Sequence, residues 1–240
     1  MQKIFIFLIS TLLSLQAHAE QQGQTYKIQS GTGFFVNRQH IITNAHVVQG
    51  CKEVMVKGAI PEHKAIVRAT NSEKDLALLE TNIQPNQFAP LRFNIDSLKT
   101  GDKVFVIGYP GEAGTKGEVK IAIANVLDIK LESSDNSKSL YISDVVEHGN
   151  SGGPVFDTGG NVIGVVVAKA LFTSYRKDTK EKVSEQGAGV AITLNTLKQF
   201  LLDNGVFSEW SGSGVSFADN YVEERAKDYI VNIQCRLSGE

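Results

Sequence analysis

Short apolar runs follow one another from Thr32 onward, broken by turn-forming residues at intervals that suit a β-barrel or β-sandwich. They are Gly33–Val36, His40–Thr43, Glu53–Val56, Ala65–Ala69, Leu76–Glu80, Lys103–Ile107, Val119–Ile129, Leu140–Val146, Val155–Phe156, Val162–Lys169 and Gly187–Ile192. Little room is left for helices. The polar, proline-containing stretch Asn82–Pro90 ends the first group and Leu91–Gly101 reads as a linker. Two β-rich halves are therefore predicted, at about residues 26–90 and 100–192. Helical periodicity comes late. Asn195–Leu202 carries Leu197, Phe200 and Leu201 on one face and stops at Asn204-Gly205, a suitable cap. A second helix is predicted over Asn220–Asp228, turning Val222, Ala226, Tyr229 and Ile230 inward, and Val231–Cys235 then alternates like a strand. The predicted organisation is a leader at 1–19, a main domain at 20–205 and a helix/strand extension at 206–240.

The leader departs from the pattern of the rest. Lys3 supplies a charged start, Ile4–Leu15 is almost wholly apolar, and Ala17-His18-Ala19 offers a small-x-small cleavage site. The run is shorter than the ~20 residues that span a bilayer. It reads as a secretory signal peptide rather than an uncleaved anchor, with an exported mature chain, periplasmic or secreted, and no stable membrane insertion after its removal. Export bears on the cysteines, of which there are 2. In an oxidising compartment Cys51 and Cys235 can bridge, against the alternative of two buried thiols.

At 240 residues, with 42 % hydrophobic and 21 % charged side chains, the composition is that of an ordinary globular protein. A net charge of −2 and the absence of a basic stripe give no reason to expect nucleic acid. The 5 histidines lack ligand spacing and no glycine-rich loop carries a phosphate-binding lysine, so neither a metal nor another cofactor is expected.

The candidate chemistry lies in Val146-Glu147-His148-Gly149-Asn150-Ser151-Gly152-Gly153-Pro154-Val155-Phe156. Glycines on both sides of Ser151 allow turns a Cβ would forbid, which can expose the hydroxyl and aim N–H groups at one spot. The same letters fit the nucleophile elbow of α/β-hydrolases, or a tight turn without catalytic meaning. An acyl-transferring serine needs a base, and the base an orienting acid. Chain order narrows the choice. No histidine follows Ser151, which excludes the elbow order of serine, acid, histidine. The first aspartate is Asp75, and the one histidine between it and Ser151 is His148, too near the serine along the turn to serve as its base. Histidine, aspartate, serine remains, with His46 at the end of Ile41-Ile42-Thr43-Asn44-Ala45-His46-Val47-Val48 and Asp75 opening Asp75-Leu76-Ala77-Leu78-Leu79.

These segments, with Gly31-Thr32-Gly33-Phe34-Phe35 and Val106-Ile107-Gly108-Tyr109-Pro110, resemble the successive signatures of the HtrA/Deg family of trypsin-fold serine proteases, over roughly Gln29 to Leu202. The resemblance implies an all-β fold of two six-stranded antiparallel barrels with short C-terminal helices and a site in the cleft between them. It makes Ser151 the nucleophile, His46 the general base, Asp75 the orienting carboxylate, and the N–H groups of Gly149 and Ser151 the oxyanion hole. It also makes Val145 the floor of the specificity pocket and Val165-Val166-Val167 the strand that pairs with substrate, so cleavage of proteins or peptides after small or aliphatic residues is expected. The family usually continues into a PDZ domain, for which the tail after Leu202 is too short, and the oligomeric state is left open. Phe172–Gln186, rich in charge, is predicted as a solvated loop beside the pocket, with a gating role as the alternative. The competing function is a latent or inactive protease-fold protein that binds or chaperones other chains.

Overall fold

The computed structural model describes residues 26–131, 138–176, 178, 182–212 and 215–238; the predicted leader lies outside them. The first half runs β1 (Tyr26–Phe35), β2 (His40–Thr43), α1 (Ala45–Val48), β3 (Glu53–Gly58), β4 (His63–Asn71), β5 (Leu76–Glu80) and β6 (Leu91–Arg92). The second runs β7 (Lys103–Gly108), α2 (Gly111–Lys116), β8 (Lys120–Leu131), β9 (Lys138–Ser143), β10 (Pro154–Phe156), β11 (Val162–Tyr175), β12 (Lys182–Thr193) and α3 (Leu194–Asp203). β13 (Trp210–Ser211), α4 (Asp219–Ala226) and β14 (Ile230–Ser238) follow.

Two closed six-stranded antiparallel barrels result. In the first, the order is β1-β14-β3-β4-β5-β2. The period-2 pattern explains its interior: β3 alternates, burying Val54 and Val56, while β5 buries Leu76 through Leu79. The second closes as β10-β7-β8-β9-β12-β11, with β11 returning to β10. Phe105, Ile107, Leu140, Ile142, Val155, Phe156 and Ile163 are buried there. α3 covers that barrel with Leu194, Leu197, Phe200 and Leu201, and ends where the N–H groups of Asn204 and Gly205 turn back to the Leu201 and Leu202 carbonyls.

The extension read at 206–240 is not an appendage. β14 inserts between β1 and β3, pairing Gly31 with Ile233 and Cys235 with Val54, and is the sixth strand of the first barrel. Cys51 and Cys235 form a disulfide that ties it to the turn before β3. The stretch read as a linker is also partly anchored, because Leu91 pairs in parallel with both Val162 and Trp210. Phe172–Gln186 is not simply a loop: β11 and β12 continue through it as a hairpin, pairing Thr173 with Glu185 and Tyr175 with Lys182. Its Lys177, Lys180 and Glu181 lie outside the described residues.

Candidate active site

β2 ends at Thr43, and α1 begins two residues later, so His46 stands on a single helical turn at the barrel's rim. Asp75 precedes β5, the strand paired with β2, and therefore arrives beside it. Its carboxylate holds His46 twice: Oδ1 accepts from the His46 backbone N–H at 2.9 Å, and Oδ2 lies 2.7 Å from Nδ1. Among the described residues Asp75 is the only non-glycine with positive φ, at 50°. Aspartate tolerates this left-handed region better than most residues. Asn44 secures the strained backbone by donating its Nδ2 to the Asp75 carbonyl at 2.9 Å.

Ser151 comes from the other barrel, in the turn between β9 and β10. Gly152 packs that turn against the root of α1: a Cβ there would lie 2.2 Å from Thr43 Oγ1 and 2.9 Å from the Asn44 nitrogen. Gly149 has φ 96°, and its Cβ would fall 2.3 Å from the Tyr109 carbonyl oxygen. Only glycine fits either position. The Ser151 hydroxyl donates to the Val167 carbonyl at 3.1 Å and makes no hydrogen bond to His46.

The peptide groups of the turn are individually held. The carbonyls of His148, Asn150 and Ser151 accept from the N–H groups of Gly111 (2.7 Å), Gly153 (2.8 Å) and Thr32 (2.9 Å), and that of Gly149 accepts from Thr32 Oγ1 (2.6 Å). The Asn150 and Gly152 N–H groups donate to Glu147 and Val166. The N–H groups of Gly149 and Ser151 have no hydrogen-bond partner among the described residues. Since a trans peptide directs its N–H opposite its C=O, both point away from Gly111 and Gly153, which hold the His148 and Asn150 carbonyls of the same two peptides. Beneath the turn Tyr109 is almost fully buried, and burial pushes its phenol up to about 12, so it stays neutral.

The residues expected to bind substrate separate. Val165 and Val166 are fully buried, and Val166 commits its N–H to Gly153 and its C=O to Gly152 at 2.8 Å each. Val167 is half-buried at a bulge, where pairing passes from Val166–Ala191 to Ala168–Val190. Of that run, Val167 alone is partly exposed. Val145 lines a cavity of about 320 Å³ with Pro110, Ala113, Ile121, Glu147 and Asn150, and none of the lining comes from β11. The side chains over β12 are instead its neighbours, Val146 against Gly189 and Asp144 against Gly187. Asp144 is paired with Lys169 on β11 at 2.8 Å. The chain turns here, with the Val145 N–H donating to the Ser143 carbonyl at 2.8 Å, and leaves 144 and 146 over β12 while 145 lines the separate cavity.

Sequence reasoning passed over Thr32 and Asn44. Both are fully buried polar residues inside segments that had been singled out for their neighbours. A polar residue flanked by glycines or core positions was the available signal.

Residues 31–165 match the family of the trypsin-like peptidase domain, a span that contains His46, Asp75 and Ser151. The serine protease Rv3671c of Mycobacterium tuberculosis is 35 % identical over 150 residues, 60 % of this chain and 37 % of that protein. A probable periplasmic DegP-like serine endoprotease of Bartonella henselae is 35 % identical over 144 residues, 59 % of this chain and 28 % of that one. The chain thus spans about a third of the length of these curated relatives. The crystal structure of the active form of Rv3671c superposes with a TM-score of 0.59 at 29 % identity, covering 79 % of this chain and 80 % of that chain. The HtrA-type protease AlgW, at 23 % identity and a TM-score of 0.56, shares the fold. By its matched segment and its two barrels, this chain belongs to the trypsin-like peptidase domain family, among relatives that are serine proteases, DegP-like ones included.

Proposed function

We propose that the protein is an exported serine endopeptidase that hydrolyses peptide bonds through an acyl-enzyme. The observation that carries this reading is the double hold of Asp75 on His46, next to a serine turn with two unpartnered N–H groups. Asp75 Oδ2 on Nδ1 fixes the tautomer in which Nε2 is free to accept a proton. Ser151 Oγ attacks the scissile carbonyl carbon as Nε2 takes the hydroxyl proton. The oxygen that becomes anionic is received by the Gly149 and Ser151 N–H groups, where one lost donor typically costs ~3 kcal/mol of transition-state stabilisation. His46 passes the proton to the leaving amine. A water then attacks the ester with His46 again as base, releasing the acid and restoring Ser151.

In the resting site the Ser151 hydroxyl is held by the Val167 carbonyl, the one feature that favours a latent state. An extended peptide pairing along β11 takes that carbonyl for its own N–H and releases the hydroxyl toward His46. The expected substrates are extended or unfolded protein segments with small or aliphatic side chains before the cut bond. Val146 supplies an apolar wall, and a lysine or arginine side chain has to displace Lys169 from Asp144. The leader and the Cys51–Cys235 bridge favour an oxidising compartment outside the cytoplasm, periplasmic or extracellular. The test is mass-spectrometric mapping of cuts in denatured casein by the mature protein, with Ser151→Ala as control. Cuts after Ala, Val, Ile or Leu that vanish in the control support the proposal; cuts mainly after Lys or Arg overturn the specificity.

A further inference from the structure

We infer that Thr32, a residue of the first barrel, is the positioning group that sets the oxyanion-binding turn of the second. The inference rests on the reading of Gly149 and Ser151 as the oxyanion donors.

Thr32 is fully buried in β1, and all its polar groups serve the site. Its hydroxyl donates to the Gly149 carbonyl at 2.6 Å and accepts from the Tyr109 N–H at 3.0 Å. Its N–H holds the Ser151 carbonyl at 2.9 Å, and its carbonyl accepts from Thr43 Oγ1 at 2.8 Å, on the strand that leads to His46. One residue therefore holds the carbonyls of both residues whose N–H groups are free.

The hydroxyl matters because of where it acts. Every other carbonyl clamp in the turn is a backbone N–H, which no substitution short of proline removes. Of the turn's described carbonyl clamps that on Gly149 alone is a side chain, and the peptide between Gly149 and Asn150 lies between the two free N–H groups. Gly149 is also the residue with most rotational freedom. Without the hydroxyl, rotation about Gly149 swings its N–H relative to that of Ser151 while leaving the His46–Asp75 hydrogen bonds untouched. Donors aimed at a developing charge act only when both converge on it, so such a defect falls on the chemical step and not on peptide docking along β11. The chain order that brings Thr32 there is simple: Gly31-Thr32-Gly33 pairs with Ile233-Asn232-Val231 of β14 on one side, and the serine turn covers the other.

The test compares Thr32→Val, Thr32→Ser and wild type on dye-quenched casein and on fluorophosphonate labelling of Ser151. Thr32→Val is expected to lower kcat about 10- to 100-fold with KM within about threefold, and to slow labelling in parallel. Thr32→Ser, which keeps the hydroxyl, recovers most of the loss. Urea midpoints check that the variants are folded. Should Thr32→Val not fold, Thr32→Cys, with a weak donor of similar size, carries the test and is expected to fall between wild type and the Val figure. Normal kcat in Thr32→Val, or equal damage in Thr32→Ser, overturns the inference, since methyl packing would then be what counts. A wild type that neither cleaves casein nor takes the label refutes the underlying protease reading instead, and the inference with it.

Discussion

Replacing Asp75 by asparagine separates the two jobs its carboxylate performs. Oδ1 holds the His46 backbone N–H and Oδ2 the ring, at 2.9 and 2.7 Å. An amide keeps one acceptor. If that oxygen stays on the backbone N–H, the NH₂ group faces Nδ1 as a donor and selects the tautomer with hydrogen on Nε2, which cannot take the Ser151 proton. If the amide turns over, the ring is served and the NH₂ opposes a backbone N–H. The first arrangement predicts a fall in kcat of about 10⁴-fold, equivalent to about 5 kcal/mol. Asparagine also accepts the left-handed backbone at φ 50°, so the chain path is preserved, whereas alanine there adds strain. Turnover of dye-quenched casein, beside urea unfolding of the same samples, is the assay. Asp75→Asn with a normal urea midpoint and kcat within about tenfold of wild type would refute the orienting role.

Three further outcomes follow from the fold. Reducing Cys51–Cys235 or changing both to alanine releases β14 from a loop with a sequence separation of 184; the chain-entropy model puts the loss at about 5 kcal/mol, read as the urea midpoint with and without reductant. No change would mean that strand pairing alone holds β14. Asp157 accepts from the backbone of Gly159 and Asn161 and pairs with buried Arg92, so Asp157→Ala leaves a buried charge unpaired and costs about 3–5 kcal/mol in urea unfolding. A loss below about 1 kcal/mol would place it with ordinary surface pairs. Burial holds His40 below the usual histidine range; Glu80 draws it partly back and Arg68 presses it further down. The unfolded chain then binds a proton before the folded one does, so stability is full above about pH 6.5 and declines as pH falls through the folded value. His40→Gln should show a smaller loss between pH 7 and 5 than wild type, and equal losses would contradict the assignment.

What could be read from the sequence is what depends on neighbours along the chain. Short apolar runs bounded by turn residues located His40–Thr43 and Leu76–Glu80 to the residue, because those strands meet the core with nearly every side chain. Chain order placed His46, Asp75 and Ser151 in one candidate site, and the structure brings His46 and Asp75 into contact. What depends on distant pairing was hidden. β14 joins β1 across most of the chain; pairing Cys235 with Cys51 ties the tail to the first half, but nothing in Val231–Cys235 says that it becomes a barrel strand or in which register it meets β1. The polar composition of Phe172–Gln186 suggests a loop, because composition does not carry the register that pairs Phe172 with Gln186 and Thr173 with Glu185. Side-chain direction at Val145 depends on the local turn in which its N–H donates to Ser143, where counting back from the serine gives position but not facing. The role of Thr32 exists only once two barrels meet.

In the proposed reaction His46 and Asp75 make Ser151 reactive. Labelling of the purified protein with a fluorophosphonate at neutral pH, beside Ser151→Ala and His46→Ala, reads that reactivity. Wild type is expected to label, with labelling absent in the serine variant and reduced by orders of magnitude in the histidine variant. Equal labelling of wild type and Ser151→Ala, or no labelling of wild type even with an extended peptide present, would contradict it.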